Sequence, residues 1–206
     1  MAKEGIPFIL IFLIPAALFL YLTWWVAAGL CLFLAAFMAF FFRDPARLCL
    51  TDERLILSPA DGRVVMLAPV DANDAHSPVQ VAIFLSPLNV HINRSPIAGE
   101  IIDLVYKPGA FHVASKDIAS VENEQNVITI KGRYVTVVAR QIAGLLARRV
   151  VFWKKKGDYV KMGEKVGLMK FSSRMDLVLP PEVEILVNIG DRVVGGISII
   201  GRVREA

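Results

Sequence analysis

The chain has 206 residues, of which 55% are hydrophobic, and carries a formal net charge of +4. This length suits one sizeable domain, or one domain with an appendage. The positive charge is mild and dispersed, which argues against nucleic acid as a partner and suits a protein at an anionic membrane surface. The two cysteines, Cys31 and Cys49, offer neither a disulfide framework nor the spacing of a metal site.

The apolar residues are concentrated near the N-terminus, because no charged residue occurs over the 38 positions from Gly5 to Phe42. One helix needs roughly 20 apolar residues to cross the bilayer core, so this stretch fits two helices. Trp24 and Trp25 lie near its middle, and tryptophan favours the membrane–water interface. We therefore predict helices over 6–22 and 26–42.

These helices are predicted to form a membrane-anchoring hairpin within residues 1–48. Lys3, Arg43 and Arg47 flank its ends, so the positive-inside tendency places both ends, and the chain that follows, on the cytoplasmic face of the cell membrane. Each predicted helix is slightly short, which leaves partial insertion as an alternative to full spanning. A cleaved signal peptide would explain one apolar stretch but not a second directly behind it.

Residues 49–206 show the pattern of a β-rich domain. Short apolar runs, such as 79–85 and 100–106, are separated by glycine and proline, and Lys131–Arg133 is typical of a hairpin connection. Further short runs follow at roughly ten-residue spacing. Many short strands of this kind predict a mainly β fold of the sandwich or barrel type.

An internal repeat refines this prediction. Residues 156–167 and 189–201 share the pattern Gly-Asp-x-Val-x-x-Gly, 33 residues apart, which is turn chemistry around a short strand. The pattern resembles the hammerhead β-sandwich of lipoyl and biotinyl carrier domains, and it predicts a hammerhead or barrel-sandwich-like domain. It also leaves an alternative function open, a membrane-tethered carrier domain modified at Lys170.

Three polar positions are candidates for one site. Asp61 lies in "SPADGRVV", His91 in "FLSPLNVHINRSP", and Ser172 and Ser173 in "FSSRMD". A serine hydroxyl becomes a strong nucleophile only when a base takes its proton. The chain contains no Gly-x-Ser-x-Gly elbow that would present a serine to an external substrate. From the residues alone, a turn aspartate and a structural histidine are the favoured interpretations. Ser173 is either a strand-edge hydroxyl or the nucleophile of a triad with His91 and Asp61.

Several motifs follow one another between about residues 39 and 200: "FFRDP", "SPADGRVV", "FLSPLNVHINRSP", "NEQN", "QIAGLLARRVVFW", "KKGDYVKMGEKVGLMKF" and "SSRMD". Together they resemble the short, archaeal/bacterial-type phosphatidylserine decarboxylase proenzymes. The resemblance implies a membrane-bound, pyruvoyl-dependent decarboxylase, which converts phosphatidylserine in the membrane to phosphatidylethanolamine. An N-terminal apolar hairpin is also expected in that family.

The resemblance assigns roles to the three candidate positions. Asp61 and His91 match the aspartate and histidine that assist self-cleavage, and Ser173 matches the serine that is converted to the pyruvoyl group. Cleavage between residues 172 and 173 would give a β chain, 1–172, and an α chain, 173–206, which stay associated. The oligomeric state is left open.

The sequence departs from the family at the cleavage motif, where Ser172 replaces the glycine that normally precedes the converted serine. A strained non-glycine position costs about 1–3 kcal/mol, which would slow an acyl shift roughly 5- to 150-fold. We therefore expect slow or absent self-cleavage in this chain. Three explanations of Ser172 stay open: natural tolerance, a shifted scissile bond, and an engineered block that traps the proenzyme.

The residues that serve decarboxylation itself are less defined. Some longer relatives carry two histidines in the loop that holds His91, whereas this chain has one there. Either His91 serves both maturation and turnover, or another group such as His112 supplies a proton. Arg148 and Arg149 are candidates for the lipid phosphate, because arginine recognises phosphate oxygens well. The substrate-binding residues are otherwise unassigned.

Overall fold

The computed structural model describes residues 1–110, 112, 122–144, 150–171 and 173–204. The chain divides into two compact units, Met1–Ala46 and Arg47–Ala206. The first unit is helical and the second contains every strand of the described chain. The predicted mainly β fold, preceded by two apolar helices, is therefore confirmed.

The N-terminal unit contains a short 3-10 turn and two α-helices. Their bounds are Lys3–Gly5 for the turn, Ile6–Tyr21 for α1 and Trp25–Phe41 for α2. Each helix agrees with its predicted bounds to within one residue. The continuous helical stretch Lys3–Tyr21 is long and apolar enough to cross a membrane, while α2 is shorter. This apolar stretch supports membrane association.

The start of α1 meets the end of α2, so the two helices form a hairpin. The Ala2 N–H donates to the Phe42 carbonyl at 2.9 Å, and the Phe8 and Phe42 rings stack at 5.3 Å between centroids. A Cβ added to Gly5 would lie 2.5 Å from the Phe42 Cβ. Glycine is therefore what allows this close approach.

The C-terminal unit contains fourteen strands in the described residues. They are β1 Leu55–Leu57, β2 Gly62–Pro69, β3 Val79–Leu85, β4 Ile92–Arg94, β5 Gly99–Lys107, β6 Gln125–Lys131, β7 Thr136–Ala143, β8 Val150–Phe152, β9 Tyr159–Val160, β10 Lys165–Met169, β11 Ser173–Leu179, β12 Val183–Ile185, β13 Arg192–Val193 and β14 Ile199–Val203. The predicted run 79–85 coincides with β3. The predicted connection Lys131–Arg133 lies one to two residues too early, because β6 extends through Lys131.

Eight strands form one antiparallel sheet in the order β13-β2-β3-β11-β7-β6-β5-β9. Two three-stranded sheets accompany it, β1-β14-β12 and β4-β10-β8. The core is built mainly from the β-branched and aliphatic side chains of one face of these strands, including Ile83, Ile128 and Leu177. Alternate residues along each strand face the core, as the two-residue period of a strand requires.

The internal repeat is reproduced in the backbone. Gly157 and Gly190 have φ values of 91° and 99°, and Gly163 and Gly196 have φ values of 72° and 75°. Glycine adopts this left-handed region without the steric cost of a Cβ. The repeated glycines therefore bracket β9 and β13, which form the two edges of the eight-stranded sheet.

The internal repeat also includes the segments that lead into the strands paired with β13 and β9. Residues 58–62 and 95–99 share the pattern Ser-Pro-x-x-Gly and lead into β2 and β5. The Gly196 N–H donates to the Ser58 carbonyl at 2.7 Å, and the Gly163 N–H donates to the Ser95 carbonyl at 2.8 Å. The repeat thus has two halves, each a Ser-Pro-x-x-Gly segment bonded to a Gly-Asp-x-Val-x-x-Gly segment, and the strands that these segments lead into can be compared position by position.

Candidate active site

Ser173 begins the central strand β11. Its backbone lies between Leu85 of β3 and Ala143 of β7. The residue is fully buried, and within the described residues its Oγ has no hydrogen-bond partner. Leaving a buried polar group unsatisfied costs about 1–3 kcal/mol. Most buried side-chain polar atoms are hydrogen-bonded, so this hydroxyl is an exception among the described residues.

The chain reaches Ser173 through a sharp turn after β10. Phe171 has a φ of 52°, a left-handed conformation that is uncommon for a residue with a Cβ. Such a backbone costs about 1–3 kcal/mol. Ser172 lies outside the described residues. The strained Phe171 therefore stands two positions before the predicted converted serine.

His91 lies immediately before β4 and is 3% exposed. Its Nδ1 is 3.0 Å from the Asn89 carbonyl oxygen. Because a carbonyl can only accept, this contact assigns the hydrogen to Nδ1 in the neutral ring and leaves the lone pair on Nε2. The His91 carbonyl accepts from the Met169 N–H at 3.1 Å. This bond ties the histidine to the end of β10, four residues before Ser173.

The turn that presents His91 is itself fixed by a side chain. Asn89 Oδ1 accepts from the Ser86 N–H at 2.9 Å and from the Ser86 Oγ at 2.8 Å. An asparagine that closes a turn in this way holds the backbone carbonyls nearby in place. The Asn89 carbonyl is therefore set for its contact with the imidazole.

Asp61 stands at the entry to β2 and forms an ion pair with Arg47. Arg47 Nη1 donates to Asp61 Oδ1 at 2.6 Å, and Nη2 donates to Oδ2 at 2.8 Å. The Gly195 N–H also donates to Oδ1 at 2.8 Å. The Arg47 and Asp61 side chains are only 7% and 14% exposed. In the other half of the repeat, Ala98 occupies the position of Asp61, so the fold does not require a carboxylate here.

Asp61 and the His91 turn meet at one cleft. The cleft has a volume of about 590 Å³ and is lined by Asp61, Gly62, Arg63, Phe84, Ser86, Leu88, Asn89, Arg192, Val193 and Val194. The structure thus brings Asp61 to the same cleft as Asn89, whose carbonyl contacts His91. That Asp61 and His91 assist self-cleavage stays a prediction.

The other predicted positions lie as follows. His112 is at the surface, where Nε2 is 2.9 Å from a Glu122 carboxylate oxygen. Lys170 is half-buried, directly between β10 and β11. Arg148 and Arg149 lie outside the described residues. The role of His112 as a proton source and that of the two arginines as phosphate ligands remain predictions.

Arg47 is a site residue that the sequence predictions missed, since they treated it only as a charge flanking the hairpin. Its role depends on a contact across 14 residues with Asp61, and no local pattern reveals such a contact. The motif "FFRDPAR" offered one signal, a second arginine four residues after Arg43 and beyond the apolar run.

Replacing Arg47 with lysine is expected to lower the free energy of unfolding by about 1.5–3 kcal/mol, the value of a hydrogen bond to a charged group. Lysine retains the charge but cannot form two parallel bonds to a carboxylate. Denaturant titration of the purified chain in detergent would measure this. Arg202→Lys, an exposed strand position, is the matched control, and equal stability of the two variants would contradict the prediction.

Next to Ser173, a buried charged pair fixes the register of β11. Arg174 Nε donates to Asp176 Oδ1 at 2.6 Å, and both side chains are fully buried. Gln80 Nε2 donates to Asp176 Oδ2 at 2.6 Å. These side chains lie on the face opposite to Ser173, Met175 and Leu177. Pairing with both neighbouring strands begins at Ser173.

The motif "NEQN" also has a structural role near the site. Asn123 Nδ2 donates to the Ala143 carbonyl at 2.7 Å, and Ala143 is the strand partner of Ser173. The same side chain binds both backbone polar groups of His112. Asn123 therefore holds the end of β7, against which the first residue of β11 is paired.

The fold and these contacts define a mainly β protein in which Ser173 is buried at the start of a central strand, and its Oγ has no hydrogen-bond partner within the described residues. The His91 carbonyl is bonded to the end of β10, the strand that precedes this serine. Residues 34–201 match the model of the phosphatidylserine decarboxylase family. The chain is 45% identical over 200 residues to a phosphatidylserine decarboxylase proenzyme from Solibacter usitatus, covering 97% of this chain and 95% of that relative.

Other relatives agree. The chain is 41% identical over 204 residues to a phosphatidylserine decarboxylase proenzyme from Geotalea uraniireducens, with 97% and 95% of the two chains covered. It is 41% identical over 210 residues to one from Carboxydothermus hydrogenoformans, with 99% and 97% covered. The chain belongs to the phosphatidylserine decarboxylase family. These enzymes are carboxy-lyases whose pyruvoyl group derives from a serine of their own chain.

Proposed function

We propose that this protein is a membrane-associated phosphatidylserine decarboxylase that forms its pyruvoyl group from Ser173. The observation that carries the proposal is the fully buried Ser173 Oγ, which has no hydrogen-bond partner within the described residues. Membership of the family supplies the substrate, phosphatidylserine, and the product, phosphatidylethanolamine. A serine at position 173 fits a pyruvoyl group, because serine is the residue from which that group is formed.

The residues present can support self-cleavage. In the neutral ring, His91 Nε2 carries the lone pair, so it can take the Ser173 hydroxyl proton while Oγ attacks the carbonyl carbon of residue 172. The bond between that carbon and the Ser173 nitrogen breaks, the nitrogen takes up a proton to become an amine, and an ester forms. Removal of the Ser173 Cα proton by a base then releases residue 172 as a carboxylate and leaves dehydroalanine at 173. Addition of water and loss of ammonia convert dehydroalanine to the pyruvoyl ketone.

Asp61 is proposed to assist this step. Arg47 and the Gly195 N–H hold its carboxylate at the cleft that Asn89 also lines. A carboxylate in such a position would stabilise the imidazolium that forms when His91 takes a proton. The comparison of the two repeat halves supports a functional rather than structural role, since Ala98 stands at the corresponding position.

For decarboxylation, a pyruvoyl ketone supplies an electrophilic carbonyl that binds the substrate amine and accepts the electrons released as carbon dioxide leaves. The contribution of this chain is to hold that group at the start of β11, between β3 and β7, and to provide a proton for the product. His91 is the proposed proton source, with His112 as the alternative.

The membrane hairpin fits this substrate. Phosphatidylserine keeps its acyl chains in the bilayer, so an enzyme anchored there can reach the headgroup without extracting the lipid. We propose that the anchor comprises residues 1–48 and that the catalytic domain, 49–206, lies on the cytoplasmic face, as the positions of Lys3, Arg43 and Arg47 favour.

Ser172 is proposed to slow maturation. Ser172→Gly should raise the rate of chain cleavage roughly 5- to 150-fold, because glycine reaches strained backbone conformations without the cost of about 1–3 kcal/mol that a residue with a Cβ meets. Intact mass measurement and a denaturing gel would follow the 34-residue fragment from 173 to 206. The unsubstituted chain is the reference.

The outcomes are distinct. Fast cleavage of the unsubstituted chain, with a pyruvoyl group at the new N-terminus, would contradict slow maturation but support the enzyme assignment. Failure of both the unsubstituted chain and Ser172→Gly to release the fragment would count against self-cleavage at Ser173. Release of carbon dioxide from carboxyl-labelled phosphatidylserine by the cleaved protein tests the activity itself.

A further inference from the structure

Two arginines stand directly opposite each other at the cleft that contains Asp61. Arg63 of β2 pairs with Arg192 of β13, and both side chains are exposed and line the cleft. Residues directly opposite in an antiparallel pair project from the same face of the sheet. The two guanidinium groups therefore face the same side of the cleft.

This arrangement is unfavourable in the absence of an anion. Like charges directly opposite each other on neighbouring strands destabilise a sheet. Within the described part of the chain, Arg63 and Arg192 form no hydrogen bond or ion pair through their side chains. Nearby, the Asp61 carboxylate is already engaged by Arg47. The two arginines therefore provide two positive charges that an anion in the cleft can neutralise.

The fold does not demand arginine at either position. In the other half of the internal repeat, the equivalent cross-strand pair is Glu100 and Tyr159. The backbone pairing is the same, yet neither residue carries a positive charge. The two arginines are therefore a property of this cleft rather than of the repeated architecture.

The arginines lie within reach of the start of β11. Arg192, Arg63, Phe84 and Arg174 form one row across four adjacent strands. With neighbouring strands about 4.8 Å apart, Arg63 starts roughly 10 Å from β11. Four single bonds separate the amine nitrogen of a phosphoserine headgroup from its phosphorus, roughly 5 Å at about 1.5 Å a bond. The extended side chain of Arg63 can span the distance that remains between the strand and the phosphate.

The headgroup would reach residue 173 from the end of β11. The Ser173 side chain faces the core, whereas Arg63 and Arg192 lie on the other face. Residue 173 is, however, the first residue of β11, and cleavage would make it a chain terminus. A ligand at that terminus can extend around the end of the sheet towards the cleft, where Ser86 and Asn89 also lie.

The rim of the cleft suits a lipid headgroup. Leu88 and Val194 line it and are 65% and 38% exposed. Exposed aliphatic side chains beside two arginines match a molecule that is apolar on one side and anionic on the other. Arginine binds phosphate oxygens with paired, charge-assisted hydrogen bonds.

We propose that Arg63 and Arg192 bind the phosphodiester of the phosphatidylserine headgroup. This inference rests on the proposed function and assigns substrate-binding residues, which the proposed function does not name. The pair orients the headgroup so that its amine points to the start of β11 while the phosphodiester stays in the cleft. It places the phosphate at these two arginines instead of at Arg148 and Arg149.

The test uses the full-length Ser173→Ala chain in detergent, which cannot cleave and forms no pyruvoyl group. Isothermal titration with glycerophosphoserine, the soluble headgroup, should show binding. Arg63→Gln and Arg192→Gln should each weaken it by about tenfold to a hundredfold, as expected for loss of a charged hydrogen bond. Arg202→Gln removes the same charge from an exposed position on β14 and should leave the affinity unchanged.

Three results would overturn the proposal: no binding by the Ser173→Ala chain, equal binding by the Arg63→Gln/Arg192→Gln chain, or inorganic phosphate binding as tightly as glycerophosphoserine. The last would indicate a general phosphate site. Failure of the proposed function would appear separately, as absence of cleavage and of carbon dioxide release in the chain that retains Ser173.

Discussion

Ser173→Ala is expected to abolish chain cleavage in the Ser172→Gly background, which should otherwise release the 34-residue fragment. Alanine has no hydroxyl to attack the preceding carbonyl, and no other group stands at the required position along the backbone. The buried site should tolerate the change, since the Ser173 Oγ has no hydrogen-bond partner within the described residues. Intact mass after a fixed incubation would measure the uncut chain.

The two serines can be distinguished by the same series. Cleavage of the Ser172→Gly chain would itself exclude the Ser172 hydroxyl as the nucleophile. Ser173→Cys in that background is the control for burial, because it keeps a nucleophilic group of similar size and should retain some cleavage. A fragment released from the Ser172→Gly/Ser173→Ala chain would refute the role assigned to Ser173.

Arg174→Met is expected to lower the free energy of unfolding by about 3–5 kcal/mol, because it leaves the Asp176 carboxylate buried and without its guanidinium. Both side chains are fully buried in the centre of the eight-stranded sheet. For a domain of this size, the melting temperature should fall by about 6–20 °C. Thermal unfolding followed by circular dichroism would show the shift.

The double variant Arg174→Met/Asp176→Leu is the control for this prediction. Removing both charges eliminates the uncompensated carboxylate, and well-packed apolar replacements of buried pairs are often neutral or stabilising. The double variant should therefore recover most of the lost stability. Equal stability of the single and double variants would show that the ion pair is not the cause.

Much of the fold could be predicted because its signals are local. An uncharged run of 38 positions predicts two helices, since membrane thickness fixes their length. The continuous apolar run 79–85 predicts a buried strand, and the structure confirms β3 there. The 33-residue repeat predicts paired turns, which the φ values of Gly157 and Gly190 confirm. The strand order, in contrast, depends on contacts distant in sequence.

The candidate site was less predictable for the same reason. Asp61, His91 and Ser173 are predictions that rest on the motifs around them, because those motifs resemble a known family. Arg47 was missed because its significance depends on an ion pair that only the folded chain creates. The pairing of Arg63 with Arg192 could not be predicted either, since it joins residues 129 positions apart through the register of two strands. No local pattern spans both strands, although a one-residue slip in their register would move every side chain of a strand to the other face.

The position of β11 has a consequence for the lifetime of the enzyme. A cut before Ser173 would place β11, β12, β13 and β14 on the short chain, yet β11 pairs along its length with β3 and β7 of the long chain. Separating the pieces would require unzipping the middle of the sheet. Each molecule would therefore keep the one reactive group that it makes, with no exchange from a free pool. Chemical loss of that group would inactivate the whole molecule. The number of active sites could then be restored only by synthesis of new protein.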